Sequence, residues 1–174
     1  MEILLVAARL SYVERMLKAM NNMGAQNLSF FSEPVTLERQ CAYLERMRKS
    51  DTDFLFLVFD KETCVLLGTV GLHEYDRYNK SARLGVLIFN PSLRRNGIGS
   101  EAVRLALEYG FAELGLNKIY AKCFATNHKM QMFLLKLGFG MEAILEKEYL
   151  LRGEYHDMVR MVIFGEGFLK GGQE

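Results

Sequence analysis

The chain is short of most of the features that announce a special environment. It has three cysteines, Cys41, Cys64 and Cys123, odd in number and widely spaced, with no C-x-x-C pair. Neither a disulfide framework nor a zinc knuckle is expected, and a reducing, cytoplasmic location is. Its three histidines, His73, His128 and His156, show no H-E-x-x-H spacing, so no metal is expected. Charge of one sign is lacking too. With 22 basic and 21 acidic residues the net charge is +1, which argues against nucleic acid or a membrane surface as partner. Long hydrophobic runs are missing: the stretch Ile3 to Ala8 ends at Arg9. That is too short to span a bilayer and lacks the basic lead and length of a secretory signal. Only two prolines occur, and no repeat, low-complexity tract or linker. What remains is 174 residues, 50% hydrophobic and 25% charged, which fits a single globular domain over residues 1–174.

Periodicity supplies the elements. Val13, Met16, Leu17, Met20 and Met23 recur at helical spacing over residues 11–23, and the methionines read as a core-facing stripe. A second helix is expected over 36–49 with Leu37, Cys41, Leu44 and Met47 inward. The period then changes. Residues 54–59 (FLFLVF) form an apolar run of strand length, Asp60 to Thr63 reads as a hairpin turn, and strands follow at 65–72 and 82–89 around a polar loop at 74–81. Three strands in succession indicate an antiparallel meander. A long helix is expected from Ile98 to Leu114, facing inward with Ala102, Val103, Ala106, Tyr109, Gly110 and Leu114, and ended by Gly115. A strand at 118–125, a helix at 129–137 stopped by Gly138, and strands at 143–150 and 155–164 about Arg152-Gly153 complete the order ααβββαβαββ. This is an α+β chain, suited to a mixed sheet covered by helices.

The most informative segment joins a buried strand to an amphipathic helix: Arg94, Arg95, Asn96, Gly97, Ile98, Gly99 and Ser100. Glycine lets the backbone turn sharply and approach a ligand with no Cβ in the way. First-turn N–H groups then converge on one spot where the helix dipole favours phosphate, and the two arginines add positive charge. Pyrophosphate is the natural occupant; the other reading is a plain strand–helix turn with a solvated arginine pair. Gly97-x-Gly99-x-x-Ala102 also satisfies the dinucleotide pattern. In that fold, however, the glycines directly follow the first strand of a βαβ unit, and an acidic residue ends the next strand. Here residues 91–96 intervene, and Lys122, Cys123 and Phe124 occupy the later position, so nicotinamide binding is poorly supported.

Arg94, Gly97 and Gly99 fill the [RQ]-x-x-G-x-[GA] signature of the GNAT superfamily of N-acetyltransferases, which the chain resembles. Four further segments are similar to the branch that acetylates ribosomal-protein N-termini and polyamines. These are Ala82 to Ile88, Glu108 to Ile119, Asn127 with Gly138-Phe139, and Gly153 to Asp157 with Met161. The resemblance implies a mixed, twisted, mostly antiparallel seven-stranded sheet with about four flanking helices. It also implies acetyl-CoA as cosubstrate and a primary amine as acceptor: a protein N-terminus, a polyamine or an amino sugar. Acetyl-CoA would lie where the third and fourth main strands splay. Backbone amides around Leu87, Ile88 and Phe89 would hold the pantetheine arm and acetyl group, those of Arg95 to Ser100 the pyrophosphate, and Asn127 the far side of the arm. A homodimer through the C-terminal strand and the tail to Phe168 is implied by analogy.

Two positions depart from the branch. Its glutamate on the third strand falls at Arg83, and the tyrosine that often protonates the departing thiolate falls at Leu134. An alkylamine of pKa about 10 must lose a proton before it can attack. Glu148, near the last hairpin turn, is the candidate base, with Glu74 and Asp76 as rivals. The departures also keep open a CoA-binding regulatory domain whose chemistry has lapsed. Cys123 reads as a packing residue, His128 as a helix-start surface residue, Glu33 as a solvated loop carboxylate, and Tyr149 and Tyr155 as sheet residues near the acceptor groove.

Overall fold

A computed structural model describes residues 2–22, 35–93 and 96–171. Seven strands are hydrogen-bonded in the order β1-β2-β3-β4-β5-β7-β6. They are β1 (Ile3–Ala7), β2 (Phe54–Asp60), β3 (Leu66–Asp76), β4 (Ser81–Ile88), β5 (Lys118–Phe124), β6 (Gly140–Leu151) and β7 (Glu154–Phe164). The helices are α1 (Val13–Asn22), α2 (Leu37–Lys49), α3 (Ile98–Glu108), α4 (His128–Lys136) and α5 (Gly165–Gly171). The described pairings are antiparallel except β4 with β5, which is parallel. The chain packs as two compact units, residues 1–73 with 85–105 and residues 74–84 with 106–174.

In the first unit, α1 and α2 cover one face of β2. Met16, Leu44, Met47, Leu55, Leu57 and Phe59 form a buried cluster, with Val13, Tyr12 and Tyr43 against it. Leu55, Leu57 and Phe59 are spaced by two, so one side of the strand supplies all three. Each such side chain contributes about 1.5–3 kcal/mol by leaving water. Thr36 caps α2, its Oγ1 accepting from the Arg39 N–H at 3.3 Å. The inward stripe of α2 differs from the one periodicity predicts: Leu37 is 45% exposed and Gln40 is buried instead. The Gln40 amide donates to the Met16 sulfur at 3.7 Å, so the polar group goes inside with a partner. Strand β1 is the apolar run at the start of the chain, an element beyond those that periodicity marks. It pairs from Ile3↔Asp60 to Ala7↔Phe56 and shields that edge of β2. Met23, Glu33 and Pro34 lie outside the described residues.

In the second unit, β5 and β7 are matched along their length, and Ile119, Ala121 and Cys123 face Ile163, Met161 and Val159. All six are buried, as is Leu134 of α4. Burial raises the Cys123 thiol pKa, in keeping with its packing role. After Glu108 the long helix widens into a π turn, Tyr109–Glu113, closed by the Leu114 N–H on the Tyr109 carbonyl at 3.1 Å. The wider turn rotates the following residues, so Phe111 is buried while Tyr109 and Leu114 stay partly exposed, against the expected face. Gly115 (φ +61) and Gly138 (φ +90) end their helices in the left-handed region. Positive φ at both Arg152 and Gly153 makes the β6–β7 connection a two-residue primed turn. Helix α5, a further element beyond the expected order, sets the Phe168 ring 5.4 Å from that of Phe111 in the same chain.

Candidate active site

The expected phosphate loop lies at the entry to α3. Gly97 adopts φ +78, and a Cβ there would meet nothing within 4 Å. Its carbonyl accepts from the Glu101 N–H at 2.9 Å, closing the first turn. N–H groups of that turn, at Ile98, Gly99 and Ser100, have no partner within the helix by its geometry. Glu101 would set a negative charge near this spot, but its carboxylate is held by Arg104 at 2.7 and 3.0 Å. Arg94 and Arg95 lie outside the described residues. A recess of about 510 Å³ borders Asn96, Gly97 and Ile98; Glu2 and Glu101 also line it, each ion-paired, to Lys61 and Arg104. A second recess, of about 390 Å³, is lined by Arg15, Lys18 and the two residues that follow β4, Phe89 and Asn90.

Upstream, β4 approaches β3 with unusual closeness. A Cβ on Gly68 would stand 2.3 Å from the Leu87 carbonyl oxygen and 3.1 Å from the Ile88 Cα, so only glycine is admitted there. The Phe89 N–H donates to the Leu67 carbonyl at 2.9 Å. This corrects the expectation that all three amides at 87–89 face a ligand, since that of Phe89 is committed to the sheet. The parallel ladder between β4 and β5 pairs Ser81, Ala82 and Arg83 with Lys118, Ile119 and Tyr120 and is not continued along the rest of β4. Asn127 caps α4, its Oδ1 accepting from the Met130 N–H at 3.1 Å, so its amide N–H₂ is the end with which it could meet a ligand.

The candidate bases are all engaged. Glu148 accepts from Lys122 at 2.6 Å, and that bond and charge hold its carboxyl below the usual range. It sits in an irregular stretch of β6, where the register shifts between Leu145 and Tyr149. Asp76 closes the β3–β4 turn, accepting from the N–H groups of Tyr78 and Asn79 at 2.8 and 2.9 Å. Glu74, at φ +55, accepts from Arg83 at 2.7 Å and from the Tyr120 hydroxyl at 2.6 Å. Burial pushes the Glu74 pKa up, but the Tyr120 and Arg83 bonds outweigh it and the net direction is down. Burial and the Glu74 carboxylate together push Tyr120 up to about 12. The Arg160 guanidinium lies 4.6 Å from the Tyr120 ring centre. Tyr149 packs edge-on against Phe124, Tyr155 is 65% exposed, and His128 is exposed at the start of α4.

One constellation escapes the sequence pattern. Pairing of Phe54 with Leu72 brings Asp53 beside His73, with Nδ1 and Oδ1 2.8 Å apart. Ser50 donates to the other Asp53 oxygen at 2.7 Å. Both side chains are largely enclosed, 12% exposed for His73 and 21% for Asp53. Only the strand register could reveal the pair. No group of three His, Cys, Asp or Glu side chains that could hold a metal occurs among the described residues. Nor is any described helix long and apolar enough to cross a membrane.

A mostly antiparallel seven-stranded sheet with one parallel pair in its middle, and a glycine-opened helix after the fourth strand, is the architecture of an acetyl-CoA-dependent acyltransferase. Comparison with known proteins gives the family. Residues 2–140 match the acetyltransferase (GNAT) domain model, and the chain belongs to that family. It is 28% identical over 134 residues to the uncharacterized N-acetyltransferase YoaA of Bacillus subtilis, covering 77% of this chain and 73% of that protein. To the spermidine N(1)-acetyltransferase of Escherichia coli K12 it is 33% identical over 102 residues, covering 59% of this chain and 54% of that one. The chain thus spans about half to three quarters of the length of these relatives. The spermidine N-acetyltransferase of Vibrio cholerae, solved in complex with CoA and spermine, superposes with a TM-score of 0.84 at 26% identity, over 96% of this chain and 98% of that one.

Proposed function

We propose that the protein is one N-acetyltransferase domain that moves the acetyl group of acetyl-CoA to a primary amine by direct attack, without a covalent enzyme intermediate. The observation that carries this reading is Gly97 at φ +78, opening the N-terminus of the helix that follows β4 in a chain of this family. In the proposed arrangement the amides of Arg95, Asn96, Gly97, Ile98, Gly99 and Ser100 bind the pyrophosphate, with Arg94 adding charge. The Leu87–Ile88 stretch takes the pantetheine arm and acetyl group, where a backbone N–H stabilises the oxyanion as the amine adds. Asn127 is assigned to the arm on the family resemblance alone. Glu148, tied to Lys122, serves better as a charge that orders the acceptor than as a base, because the same bond that orients it lowers its basicity.

Spermidine-acetylating relatives make polyamines the first acceptors to try. A second acceptor class is favoured by the charges. Glu74, Glu142 and Glu148 each face a cation, Arg83, Lys118 and Lys122 respectively. A polycation would find these carboxylates already paired, so an amino sugar or a peptide N-terminus competes with spermidine. Three free thiols fit a reducing cytoplasm. Any homodimer would use the exposed apolar side chains Met141, Ile144, Tyr155 and Phe164 of β6 and β7. The test is release of CoA thiol on adding spermidine, an amino sugar or a free-N-terminal peptide to enzyme and acetyl-CoA. Turnover with at least one amine is expected. Heat of acetyl-CoA binding with no turnover would instead support a lapsed, regulatory domain, and no heat at millimolar acetyl-CoA would overturn the reading.

A further inference from the structure

We propose that Gly68 is a positioning residue for acetyl transfer, its missing Cβ setting how close the Leu87–Ile88 stretch of β4 lies to β3; this rests on the acetyltransfer reading above. Pairing of β2 with β3 runs Val58↔Gly68 and then Phe59↔Leu66, so Leu67 is an extra residue with no partner on β2. A bulge of this kind bends its strand and re-aims the groups beside it. Here the Leu67 carbonyl accepts from the Phe89 N–H at 2.9 Å. The next residue, Gly68, receives the strand itself. A Cβ on it would stand 2.3 Å from the Leu87 carbonyl oxygen, 3.0 Å from Ile88 Cδ1 and 3.1 Å from Ile88 Cα. Two of those three atoms are backbone, which no change of rotamer moves aside. The β4–β5 ladder ends at Arg83, so β3 is the strand that backs residues 87–89.

The contact matters because an oxyanion donor works only within about 2.7–3.1 Å of the developing charge. With alanine at 68, the Leu87 carbonyl would retreat by about 1 Å to reach ordinary contact, and a misplacement of that size costs on the order of 10²-fold in rate. The bond from Phe89 to Leu67 holds the chain just past the contact, so the displacement falls on Leu87 and Ile88. The loop at residues 96–100, assigned to the pyrophosphate, lies beyond that bond. Gly68 itself touches no reacting atom and acts through β4. Gly71, three residues on, supplies the comparison. The nearest neighbours of a Cβ there would be the Phe54 carbonyl oxygen at 2.7 Å and the His73 ring at 2.9 Å, on β2 and β3. Crowding at Gly71 therefore strains the same strand without pressing on β4.

The experiment compares wild type with Gly68→Ala, Gly71→Ala and the double variant Gly68→Ala with Ile88→Val, using the amine found active in the panel. Urea midpoints and acetyl-CoA calorimetry are read beside kcat and KM. Gly68→Ala should lose about 10²-fold in kcat with the KM for amine unchanged. Its acetyl-CoA affinity should fall by no more than about tenfold, the size of one lost hydrogen bond. Gly71→Ala should lose stability yet keep kcat within about threefold of wild type. Removing Ile88 Cδ1 relieves the side-chain contact but not the carbonyl one, so the double variant should regain stability and not rate. A folded Gly68→Ala with kcat within threefold of wild type overturns the proposal and leaves acetyltransfer standing. So does an equal kcat loss in Gly71→Ala, which would mark general strain in the sheet, or a rate that returns with stability in the double variant. If Gly68→Ala does not fold, the double variant is read in its place; failure of both makes the glycine a requirement of the fold and overturns the proposal. Wild-type protein inert with every amine overturns the acetyltransfer reading and this proposal together.

Discussion

Replacing Gly97 separates backbone from charge at the proposed phosphate site. The residue sits at φ +78 with no neighbour within 4 Å of a built Cβ, so a side chain there meets strain but no clash. Alanine would cost about 1–2 kcal/mol in this left-handed region, whereas asparagine and aspartate tolerate it better than other residues. Gly97→Asn and Gly97→Asp therefore have similar shape and similar strain and differ by one negative charge. At about 6 Å from a phosphate, that charge costs roughly 0.7 kcal/mol in a water-like dielectric and about 2.8 kcal/mol at an effective value of 20, per unit of phosphate charge. Taking about 3 kcal/mol for a pyrophosphate, aspartate should bind acetyl-CoA on the order of 10²-fold more weakly than asparagine. Calorimetry at about 50 mM and 0.5 M salt is the assay. The gap should narrow at the higher salt as the Debye length shrinks, while the two variants melt within a few degrees of each other. Equal affinity of the two variants at low salt would refute the placement of phosphate at this helix end.

Two further outcomes follow from ionised groups. Glu74→Gln removes the negative charge that opposes phenolate formation at Tyr120, so the tyrosine should titrate below about 12, toward the ordinary value near 10; ultraviolet titration of this variant, corrected with Tyr120→Phe, reads the shift, and an unmoved phenol would refute the assignment. For Asp53, burial raises the pKa but the Ser50 and His73 bonds outweigh it, so its folded value lies below the unfolded one. The stability it contributes, about 1–3 kcal/mol for hydrogen bonds to a charged group, is then full above about pH 4 and lost as pH falls below that. Urea midpoints of wild type and Asp53→Asn should therefore converge between pH 7 and pH 3, and a constant difference would count against it.

What is legible in the sequence is local. Thr36, Gly115, Gly138 and the Arg152-Gly153 turn end or begin elements through their own φ, ψ and hydrogen bonds, and each stands where the pattern puts it. Non-local facts are hidden. The run Ile3 to Ala7 has no alternation to mark it as a strand, and becomes one by pairing with Phe56 to Asp60. Leu37 and Cys41 carry the apolar repeat of α2, yet the helix is rolled so that Gln40 meets Met16, a choice made by a partner 24 residues away. The π turn at Tyr109–Glu113 has no composition that distinguishes it from α-helix.

The same division runs through the site. A glycine-opened helix is encoded in consecutive residues, so the proposed phosphate cradle is legible from the order of the chain alone. The pairing of ionisable groups depends on register. Asp53 and His73 are separated by 20 residues, Lys122 and Glu148 by 26, Glu74 and Tyr120 by 46. Near the hairpin turn Phe59 pairs with Leu66, and continuing that count along β2 would set Asp53 opposite Leu72, with His73 on the other face. The register shifts by one residue between Val58 and Phe59, so that Phe54 meets Leu72 and Asp53 falls beside His73. One extra residue in β3 thus decides whether Asp53 and His73 share a face of the sheet, and no pattern in composition or periodicity encodes that bulge.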